Sequence, residues 1–340
     1  LEVTDPLFDT PVPERAVMAV MTSGTTGIPK ILFRSFESWA DFFAIQNAVF
    51  GVDADSRLFV QGSLAFTGNL NLYMGQLAAG GTLIAEDVFL PGKWEQVMAH
   101  ERANGIYLIP SKLLMLPRVF KGVNANIRTI ISGSQSLGRK DAEVLKKIFP
   151  NTEITLYYGA SELNYITYVK SADMTEERNL IGKPFPGVRV FIQDDEMYVD
   201  NAFHVENITV PYSLKDSGRM DLQGNFYFLG RTDDIVGVRG RKVSMMKIEN
   251  ALEEVAGITE AAVVLLPKEK DADMPAEIVS AFVTVEGTDV PENLRQQLKG
   301  KLADFEIPKR VIALEALPKN TSGKVDKARL KKMWIEQEPQ

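Results

Sequence analysis

Apolar and polar positions in the first half of the chain alternate between short strand-like runs and longer helix-like stretches. The strand signals are brief apolar runs closed by Gly or Pro, and the helix signals repeat apolar residues every three or four positions. The predicted helices are Ser35–Phe50, Trp94–Asn104 and Lys140–Phe149. The predicted strands are Leu58–Gln61, Thr82–Ala85, Gly105–Pro110, Thr129–Ile131 and Glu153–Tyr157. Such alternation predicts an α/β fold with a largely parallel sheet.

Beyond Gly182 the pattern changes to short strands and turns, and then to a separate mixture of helices and strands. The short strands are Val188–Gln193, Glu196–Val199 and Gly224–Phe228. The later elements are helices Met246–Val255 and Pro291–Phe305, with strands Ala261–Leu266 and Ile278–Val285 between them. We therefore expect a large domain over residues 1–232 and a smaller, mobile C-terminal domain over residues 233–340, a division that the chain length also favours.

Composition narrows the class of protein. The chain has 340 residues, 45% of them hydrophobic, a net charge of -7 and no cysteine. These values argue against a nucleic-acid binder, a disulfide scaffold and thiolate catalysis. The two histidines, His100 and His204, lie far apart and argue against a Ser-His-Asp hydrolase. Since the sequence has no 18-residue apolar run and no secretory signal at its start, we expect no membrane span and a cytoplasmic location.

A loop rich in hydroxyl groups and glycine, Met21–Lys30, follows the apolar run Ala16–Val20. Glycine lets backbone N–H groups approach an anion closely, hydroxyls add donors, and Lys30 adds positive charge. A Walker A loop is excluded, since Pro29 and Ile31 stand where that motif needs Gly and Ser or Thr. An ordinary polar turn is the alternative, but the density of hydroxyls and the ordered spacing of glycines favour a phosphate-holding loop.

This loop resembles the signature phosphate loop of the adenylate-forming (AMP-binding) superfamily, which includes acyl-CoA and aryl-CoA synthetases, peptide-synthetase adenylation domains and luciferases. Five further segments resemble the other motifs of the family, in the same order. They are Tyr158–Glu162, Gly182–Gly187, Asp216 with Gly230–Asp234, Arg239–Glu249, and Pro318–Val325. The resemblance covers nearly the whole chain from about residue 16, and Ser161 stands where the family usually has Thr.

The resemblance implies an adenylate-forming enzyme fold, with a large α/β domain of mixed and parallel sheets and a small α+β C-terminal domain. It implies an acid–thiol ligase of the acyl-CoA synthetase type. A carboxylate is a poor electrophile, so it attacks the α-phosphorus of ATP, forms an acyl-adenylate and expels pyrophosphate. The acyl group then passes to coenzyme A. The implied cofactors and co-substrates are therefore ATP, Mg²⁺ and coenzyme A.

The resemblance also assigns roles in the large domain. The residues assigned to the β- and γ-phosphates are Thr22, Ser23, Gly24, Thr25, Thr26 and Gly27, with Lys30 adding charge unless it is an ordinary solvated or paired lysine. The residues assigned to adenine are Tyr158 and Gly159, with Ser132, Gly133 and Ser134 on the other side. Ser161 would contact the α-phosphate and Glu162 would bind Mg²⁺. The alternatives are a plain core tyrosine at 158 and a helix-start glutamate at 162.

Other roles fall toward the C-terminus. Asp216, joined by Arg231, would accept hydrogen bonds from the two ribose hydroxyls. Lys324 would bridge the substrate carboxylate and the phosphate in the first step. The C-terminal domain would then turn about a hinge at Asp233 and present the Gly240 loop as a tunnel for the thiol.

Three functions stay open from the sequence. The first is an acyl-CoA synthetase, and the second is an adenylation module that loads an amino acid onto a carrier protein. The segment Leu64–Leu70 occupies the region where amino-acid activators usually place an aspartate, and it has no acid. A substrate ammonium would be unpaired there, so we expect an acid without an α-amino group. The acceptor is then coenzyme A, with an acyl carrier protein as the alternative.

The third function is a catalytically incomplete nucleotide-binding fragment. The phosphate loop usually lies much further along the chains of this family, whereas here it begins near residue 22, with no initiating Met. We expect an N-terminal portion of the large domain to be absent, leaving apolar sheet surface and an edge strand uncovered. We expect such a chain to bind ATP weakly, to adenylate poorly or not at all, and either to self-associate or to need the missing segment in trans.

Overall fold

The computed structural model describes residues 11–22, 30–64, 66–232, 235–238, 241–268, 277–287, 289–319 and 325–336. The chain divides into two compact units. The first comprises Leu1–Leu214 with Arg219–Phe228, and the second comprises Lys215–Gly218 with Leu229–Gln340. Within the described ranges, every helix is too short or too polar to cross a bilayer.

Seven helices and thirteen strands are described as far as Arg231. The helices are α1 Phe36–Ala40, α2 Phe42–Phe50, α3 Thr67–Ala78, α4 Pro91–His100, α5 Pro110–Leu113, α6 Leu116–Val119 and α7 Arg139–Ile148. The strands are β1 Ala16–Thr22, β2 Lys30–Ser35, β3 Arg57–Gln61, β4 Thr82–Glu86, β5 Gly105–Tyr107, β6 Thr129–Gly133, β7 Glu153–Ala160, β8 Asn164–Lys170, β9 Leu180–Pro184, β10 Arg189–Gln193, β11 Glu196–Asp200, β12 Tyr212–Met220 and β13 Phe226–Arg231.

Strands β3 to β13 form one mixed sheet in the order β10-β11-β12-β13-β9-β8-β7-β6-β5-β3-β4. Strands β4, β3, β5, β6 and β7 run parallel to one another. The direction reverses at β8, which pairs antiparallel with both β7 and β9. Strands β1 and β2 form a separate antiparallel hairpin. The carboxyl ends of the parallel strands therefore lie along one edge, where open α/β sheets bind their ligands.

Neighbouring residues on the parallel strands face opposite sides of the sheet, as the two-residue period of a strand requires. Ile106, Ile130 and Leu156 belong to an apolar core shared with α4, α6 and α7, which we call the first face. Tyr107 and Tyr157 belong to a core shared with α2 and α3, which we call the second face. Helices thus cover both faces, and each large apolar side chain buried there stabilises the fold by about 1.5–3 kcal/mol.

The second unit has its own core. Its elements beyond β13 are β14 Ile235–Val238, β15 Arg241–Ser244, α8 Met245–Glu253, β16 Ile258–Pro267, β17 Glu277–Val285, α9 Leu294–Leu298, β18 Arg310–Ala313 and α10 Lys327–Glu336. Strands β16, β17 and β18 form a sheet. Val263 packs with α8 on one side of this sheet, whereas Val264 packs with Leu330 of α10 on the other. This unit has the predicted α+β character.

Several predicted elements have different limits in the structure. The helix predicted at Ser35–Phe50 is two helices separated at Asp41, a break that the continuous apolar pattern does not reveal. The strand predicted at Gly105–Pro110 ends at Tyr107, and Pro110 begins α5, because proline suits the first position of a helix. The helix predicted at Pro291–Phe305 is limited to Leu294–Leu298. Helix α3 was missed, since its glycines and asparagines have low helix propensity.

Candidate active site

The candidate site is built on the turn between β7 and β8. Ser161, Glu162 and Leu163 form this turn, so Glu162 does not begin a helix and the helix-dipole alternative is excluded. Strands β6 and β7 are parallel, with Gly133 opposite Tyr157. The segments Ser132–Ser134 and Tyr158–Glu162 therefore end at the same edge of the sheet.

A buried arginine fixes the backbone of this turn. Arg34 of β2 has no exposed surface. Its guanidinium donates to the carbonyl oxygen of Ser161 at 2.8 Å, to that of Phe203 at 2.9 Å and to that of Ser38 at 3.2 Å. Burial lowers the pKa of Arg34 to about 10, and the negative charge of Glu162 opposes that shift. The turn thus carries a carboxylate beside a buried cation.

Buried asparagines hold the other end of the turn. Asn164 is 2% exposed and has a φ of 67°, a left-handed conformation that asparagine tolerates better than most residues. The Nδ2 of Asn71, on α3, donates to the Oδ1 of Asn164 at 2.7 Å. The Nδ2 of Asn201 donates to the carbonyl oxygen of Leu163 at 3.1 Å. These hydrogen bonds fix the turn from both sides and tie it to α3.

The start of α3 contacts the same turn. The hydroxyl oxygens of Thr67, the first residue of α3, and Ser161 are 2.9 Å apart. Residue Phe66, immediately before α3, makes no side-chain capping hydrogen bond and is 43% exposed. Thr67, which belongs to the acid-free segment Leu64–Leu70, therefore lies next to Ser161.

The segment Ser132–Ser134 closes β6. Ser132 is fully buried, and its hydroxyl donates to the carbonyl oxygen of Leu108 at 2.7 Å, so this side chain is part of the core. A side chain at Gly133 would lie 2.4–2.7 Å from the ring of Tyr157, which explains the need for glycine. Ser134 is exposed, with a φ of 68°. A ligand at this edge would therefore meet Ser134 rather than the buried side chain of Ser132.

Hydrogen-bonded tyrosines lie beneath these two segments. The hydroxyl oxygens of Tyr107 and Tyr157 are 2.9 Å apart, and the hydroxyl of Tyr165 donates to the carbonyl oxygen of Gly68 at 3.1 Å. Burial raises the pKa of the Tyr157 hydroxyl to about 12, against the effect of its hydrogen bonds to Tyr107 and Ser134. Burial also raises the pKa of Tyr107 and Tyr165 well above the usual value. These hydroxyls are therefore neutral, and that of Tyr165 ties the start of α3 to β8.

Tyr158 and Gly159 lie at the end of β7. Tyr158 is half-buried, and its ring centroid is 5.9 Å from that of Phe228. Its ring therefore packs partly on protein and keeps some exposed surface. Gly159 is exposed, and a Cβ there would lie 2.7 Å from the carbonyl oxygen of Asn164, so only glycine fits without a backbone shift.

The ends of the predicted phosphate loop face each other. Thr22 and Lys30 are partners in the β1–β2 hairpin, and Lys30 is exposed. The hairpin is tied to the rest of the first unit, because the N–H of Glu206 donates to the carbonyl oxygen of Phe33 at 2.7 Å. The predicted phosphate-binding residues Ser23, Gly24, Thr25, Thr26 and Gly27 lie outside the described residues.

The predicted ribose-binding pair comes together in the second unit. The Nε of Arg231 is 3.8 Å from the Oδ1 of Asp216, whose side chain is 11% exposed. The hydroxyl of Thr232 donates to the carbonyl oxygen of Lys215 at 3.0 Å and holds the two strands together beside this pair. Three other predicted residues of this part of the chain, Asp233, Gly240 and Lys324, lie outside the described residues.

The side chains of the described residues do not form a complete metal site by themselves. They contain no cluster of three or more histidine, aspartate or glutamate side chains that could hold an ion by themselves. Mg²⁺ usually binds through one or two carboxylates together with substrate phosphates and water. Glu162, a half-buried carboxylate on a fixed turn, fits a single-carboxylate site of this kind.

Sequence reasoning missed the groups that support the turn. Arg34, Asn71, Asn164 and Asn201 lie outside the motifs used above, and their roles depend on contacts between distant parts of the chain. The one local signal is Arg34 itself, a charge directly after the apolar run Ile31–Phe33 in a strand. A buried charge in such a place is costly unless it is paired, which marks it as a candidate.

Comparison with known proteins agrees with this architecture. A family model described as AMP-binding enzyme matches residues 3–202, and one described as AMP-binding enzyme C-terminal domain matches residues 247–324. The uncharacterized acyl-CoA ligase YhfT of Bacillus subtilis is 27% identical to this chain, covering 96% of it and 70% of the relative. A linear gramicidin synthase of Brevibacillus parabrevis is 26% identical, covering 92% of this chain and 7% of that protein.

Among solved structures, o-succinylbenzoate coenzyme A synthetase from Bacillus subtilis, in complex with ATP and magnesium ion, matches with a TM-score of 0.79. The identity is 20%, over 92% of this chain and 69% of that one, and this likeness shows the fold alone. The predicted adenylate-forming fold is thus confirmed. Because the first family model matches more than half of its residues, the chain belongs to the AMP-binding enzyme family.

Proposed function

We propose that this protein activates a carboxylic acid with ATP as an acyl-adenylate and transfers the acyl group to coenzyme A. The observation that carries the proposal is the Ser161–Glu162 turn, fixed by Arg34 and in contact with Thr67 at the carboxyl edge of the sheet. This turn carries a hydroxyl and a carboxylate on adjacent residues, directly after β7, which ends with Tyr158, Gly159 and Ala160. The relative YhfT, named as an acyl-CoA ligase, supports the choice of acceptor.

In the first step a carboxylate oxygen of the acid attacks the α-phosphorus, and pyrophosphate leaves. The Ser161 hydroxyl is proposed to donate to an α-phosphate oxygen, and Thr67, 2.9 Å away, orients it. Glu162 is proposed to hold Mg²⁺, which would supply positive charge to the phosphates when bound. Lys30, with the loop Thr22–Gly27, is proposed to hold the β- and γ-phosphates.

Other residues are proposed to bind the nucleoside and the acid. Tyr158 offers an exposed part of its ring to adenine, and the backbone at Gly133 and Ser134 borders the other side. Asp216 and Arg231 are proposed to bind the ribose hydroxyls. Lys324 is proposed to bridge the carboxylate and the phosphate, where one such donor is worth about 3–4 kcal/mol of transition-state stabilisation.

In the second step the sulfur of coenzyme A forms a bond to the acyl carbon, and AMP leaves. The thiol loses its proton to solvent, so atoms and charges balance. We propose that the C-terminal domain, residues 233–340, turns at Asp233 between the steps and brings the Gly240 loop to the thiol.

The alternative proposal is an adenylation module that loads an amino acid onto a carrier protein. One finding favours it, since a linear gramicidin synthase is also a relative. The segment Leu64–Leu70 argues against it. Thr67 of that segment contacts Ser161 and the segment has no carboxylate, so a substrate ammonium would have no partner from it.

The test is a screen for pyrophosphate release by the product of the whole open reading frame, against carboxylic acids and amino acids, with and without coenzyme A. We expect release with acids that have no α-amino group, and an acyl-coenzyme A thioester and AMP when coenzyme A is present. Release with amino acids only would favour the alternative. No release with any acid would contradict both.

A further inference from the structure

We propose that Arg34 is a positioning residue that orients Glu162 and Ser161 toward magnesium-bound nucleotide. This inference rests on the proposed function, because it takes the Ser161–Glu162 turn as the nucleotide site. Arg34 lies in β2, four residues beyond Lys30, and belongs to none of the segments compared with the family motifs.

The geometry shows what Arg34 holds. Its Nη2 donates to the Ser161 carbonyl at 2.8 Å, and its Nη1 donates to the carbonyls of Phe203 and Ser38 at 2.9 and 3.2 Å. Three separate parts of the first unit thus converge on one planar cation. A guanidinium can reach three carbonyls because its donors form a rigid fork, which a lysine ammonium lacks.

The contact with Ser161 is to its backbone and leaves the hydroxyl of Ser161 available to Thr67, 2.9 Å away. The carbonyl of Glu162 accepts from the N–H of Val205 at 2.9 Å, so both peptide groups of the turn are held. The remaining freedom of Glu162 is therefore in its side chain. Groups that orient a metal-binding carboxylate typically change metal affinity when they are removed.

Charge supports the same assignment. Arg34 is completely buried, and an isolated buried charge is costly. The nearby negative charge of Glu162 offsets part of this cost. An apolar side chain at this position would leave the carbonyls of Ser161, Phe203 and Ser38 without these donors, so a buried guanidinium is needed to hold the turn. Arg34 also places a positive charge near the carboxylate that is proposed to hold Mg²⁺.

The test is the binding of ATP, with and without magnesium chloride, measured by calorimetry on wild type, Arg34→Gln and Arg34→Lys. We expect Arg34→Gln to weaken binding of magnesium-ATP by about 10–100-fold, the usual effect of removing a group behind a metal ligand. Binding of ATP without magnesium should change little. Arg34→Lys should lie between wild type and Arg34→Gln, because it keeps the charge but loses the fork.

Arg57→Gln is the matched control. Arg57 also donates from a strand to a backbone carbonyl, that of Glu101 at 2.7 Å, at a place distant in sequence from the turn. We expect this variant to lose thermal stability while magnesium-ATP binding stays at the wild-type level. If Arg34→Gln and Arg57→Gln behave alike in binding, Arg34 is structural only and the proposal is wrong.

Two further outcomes are decisive. If neither Arg34 variant folds while Arg57→Gln does, circular dichroism will show it, and the positioning role is replaced by a purely structural one. If wild type binds magnesium-ATP and depends on Arg34 but releases no pyrophosphate with any acid, the proposed function fails and the Arg34 assignment stands.

Discussion

The two faces of the sheet in the first unit are packed by different kinds of side chain. The first face, against α4, α6 and α7, is filled almost entirely by apolar side chains such as Phe149 and Leu145. The second face, against α2 and α3, includes the buried tyrosines Tyr73, Tyr107, Tyr157 and Tyr165. Apolar packing alone can stabilise a fold. The buried tyrosine hydroxyls of the second face therefore indicate a place where the positions of helices have to be fixed.

Buried amides add to this difference. The Nδ2 of Asn47 in α2 donates to the carbonyl oxygen of Gly75 at 2.8 Å, and the Nε2 of Gln46 donates to that of Asn71 at 3.0 Å. Directional hydrogen bonds in a low-dielectric interior fix one relative position of α2 and α3, because an unmade bond there is costly. The second face therefore fixes the position of α3, and with it that of Thr67, in addition to burying apolar side chains as the first face does.

The largest effect is expected when one buried leucine of each face is changed to alanine, which compares the two faces directly. Leu145 of α7 and Leu72 of α3 are both essentially fully buried. Each change to alanine should lower the free energy of unfolding by about 2–5 kcal/mol, measured by guanidinium denaturation. Only Leu72→Ala should also lower pyrophosphate release per folded molecule, since α3 carries Thr67. An equal loss of activity in Leu145→Ala would erase the proposed difference between the faces.

A smaller effect is expected at Asn164, where backbone and side chain can be tested apart. Asn164→Ala removes the acceptor for Asn71 and places alanine in a left-handed conformation. Asn164→Gly removes the same acceptor but accepts the conformation, so it should be more stable than Asn164→Ala by about 1–2 kcal/mol. Thermal and denaturant unfolding of both variants measure this. Equal stabilities would show that the φ of 67° is not a constraint on the turn.

The smallest effect is expected for Tyr157→Phe, which removes a hydroxyl bonded to Tyr107 and Ser134. The free energy of unfolding should fall by about 0.5–1.5 kcal/mol near neutral pH. Burial raises the pKa of this tyrosine in the folded state to about 12 from 10, so folding favours its protonated form. The stabilisation from the protonated Tyr157 hydroxyl is fully present below about pH 10 and is lost as the pH rises toward about 12. Between about pH 9 and 12, the free energy of unfolding should therefore fall less steeply with pH in Tyr157→Phe than in wild type. Identical pH profiles of the two proteins would refute the assignment.

The comparison also shows what the sequence could predict. The α/β class and the positions of β6 and β7 follow from short apolar runs that end in glycine, and both are local signals. Asp216 and Arg231 were expected to act together, and the structure brings them to 3.8 Å. The sequence does not predict the roles of Arg34 and Asn164. The role of a buried polar side chain depends on partners far along the chain, as in the contact of Arg34 with Ser161.

Helix α3 shows that long-range contacts also limit the prediction of secondary structure. Gly68 and Gly75 reduce its local helix propensity, yet both positions are needed for close contacts. A side chain at Gly75 would lie 1.9 Å from the Nε2 of Gln46, and one at Gly68 would lie 3.0 Å from the hydroxyl of Tyr157. Tertiary packing on the second face thus selects residues that a sequence-based prediction counts against a helix.

The direct test of adenylation at the Ser161–Glu162 turn is the magnesium dependence of ATP–pyrophosphate exchange in Glu162→Gln. We expect exchange with the preferred acid to fall by about 100-fold or more, the scale of losing one major electrostatic contact, while the fold is retained. The control is Glu176→Gln, an exposed glutamate paired with Lys140 at 3.5 Å, which should behave as wild type. Wild-type exchange with unchanged magnesium dependence in Glu162→Gln would contradict the placement of the active site at this turn.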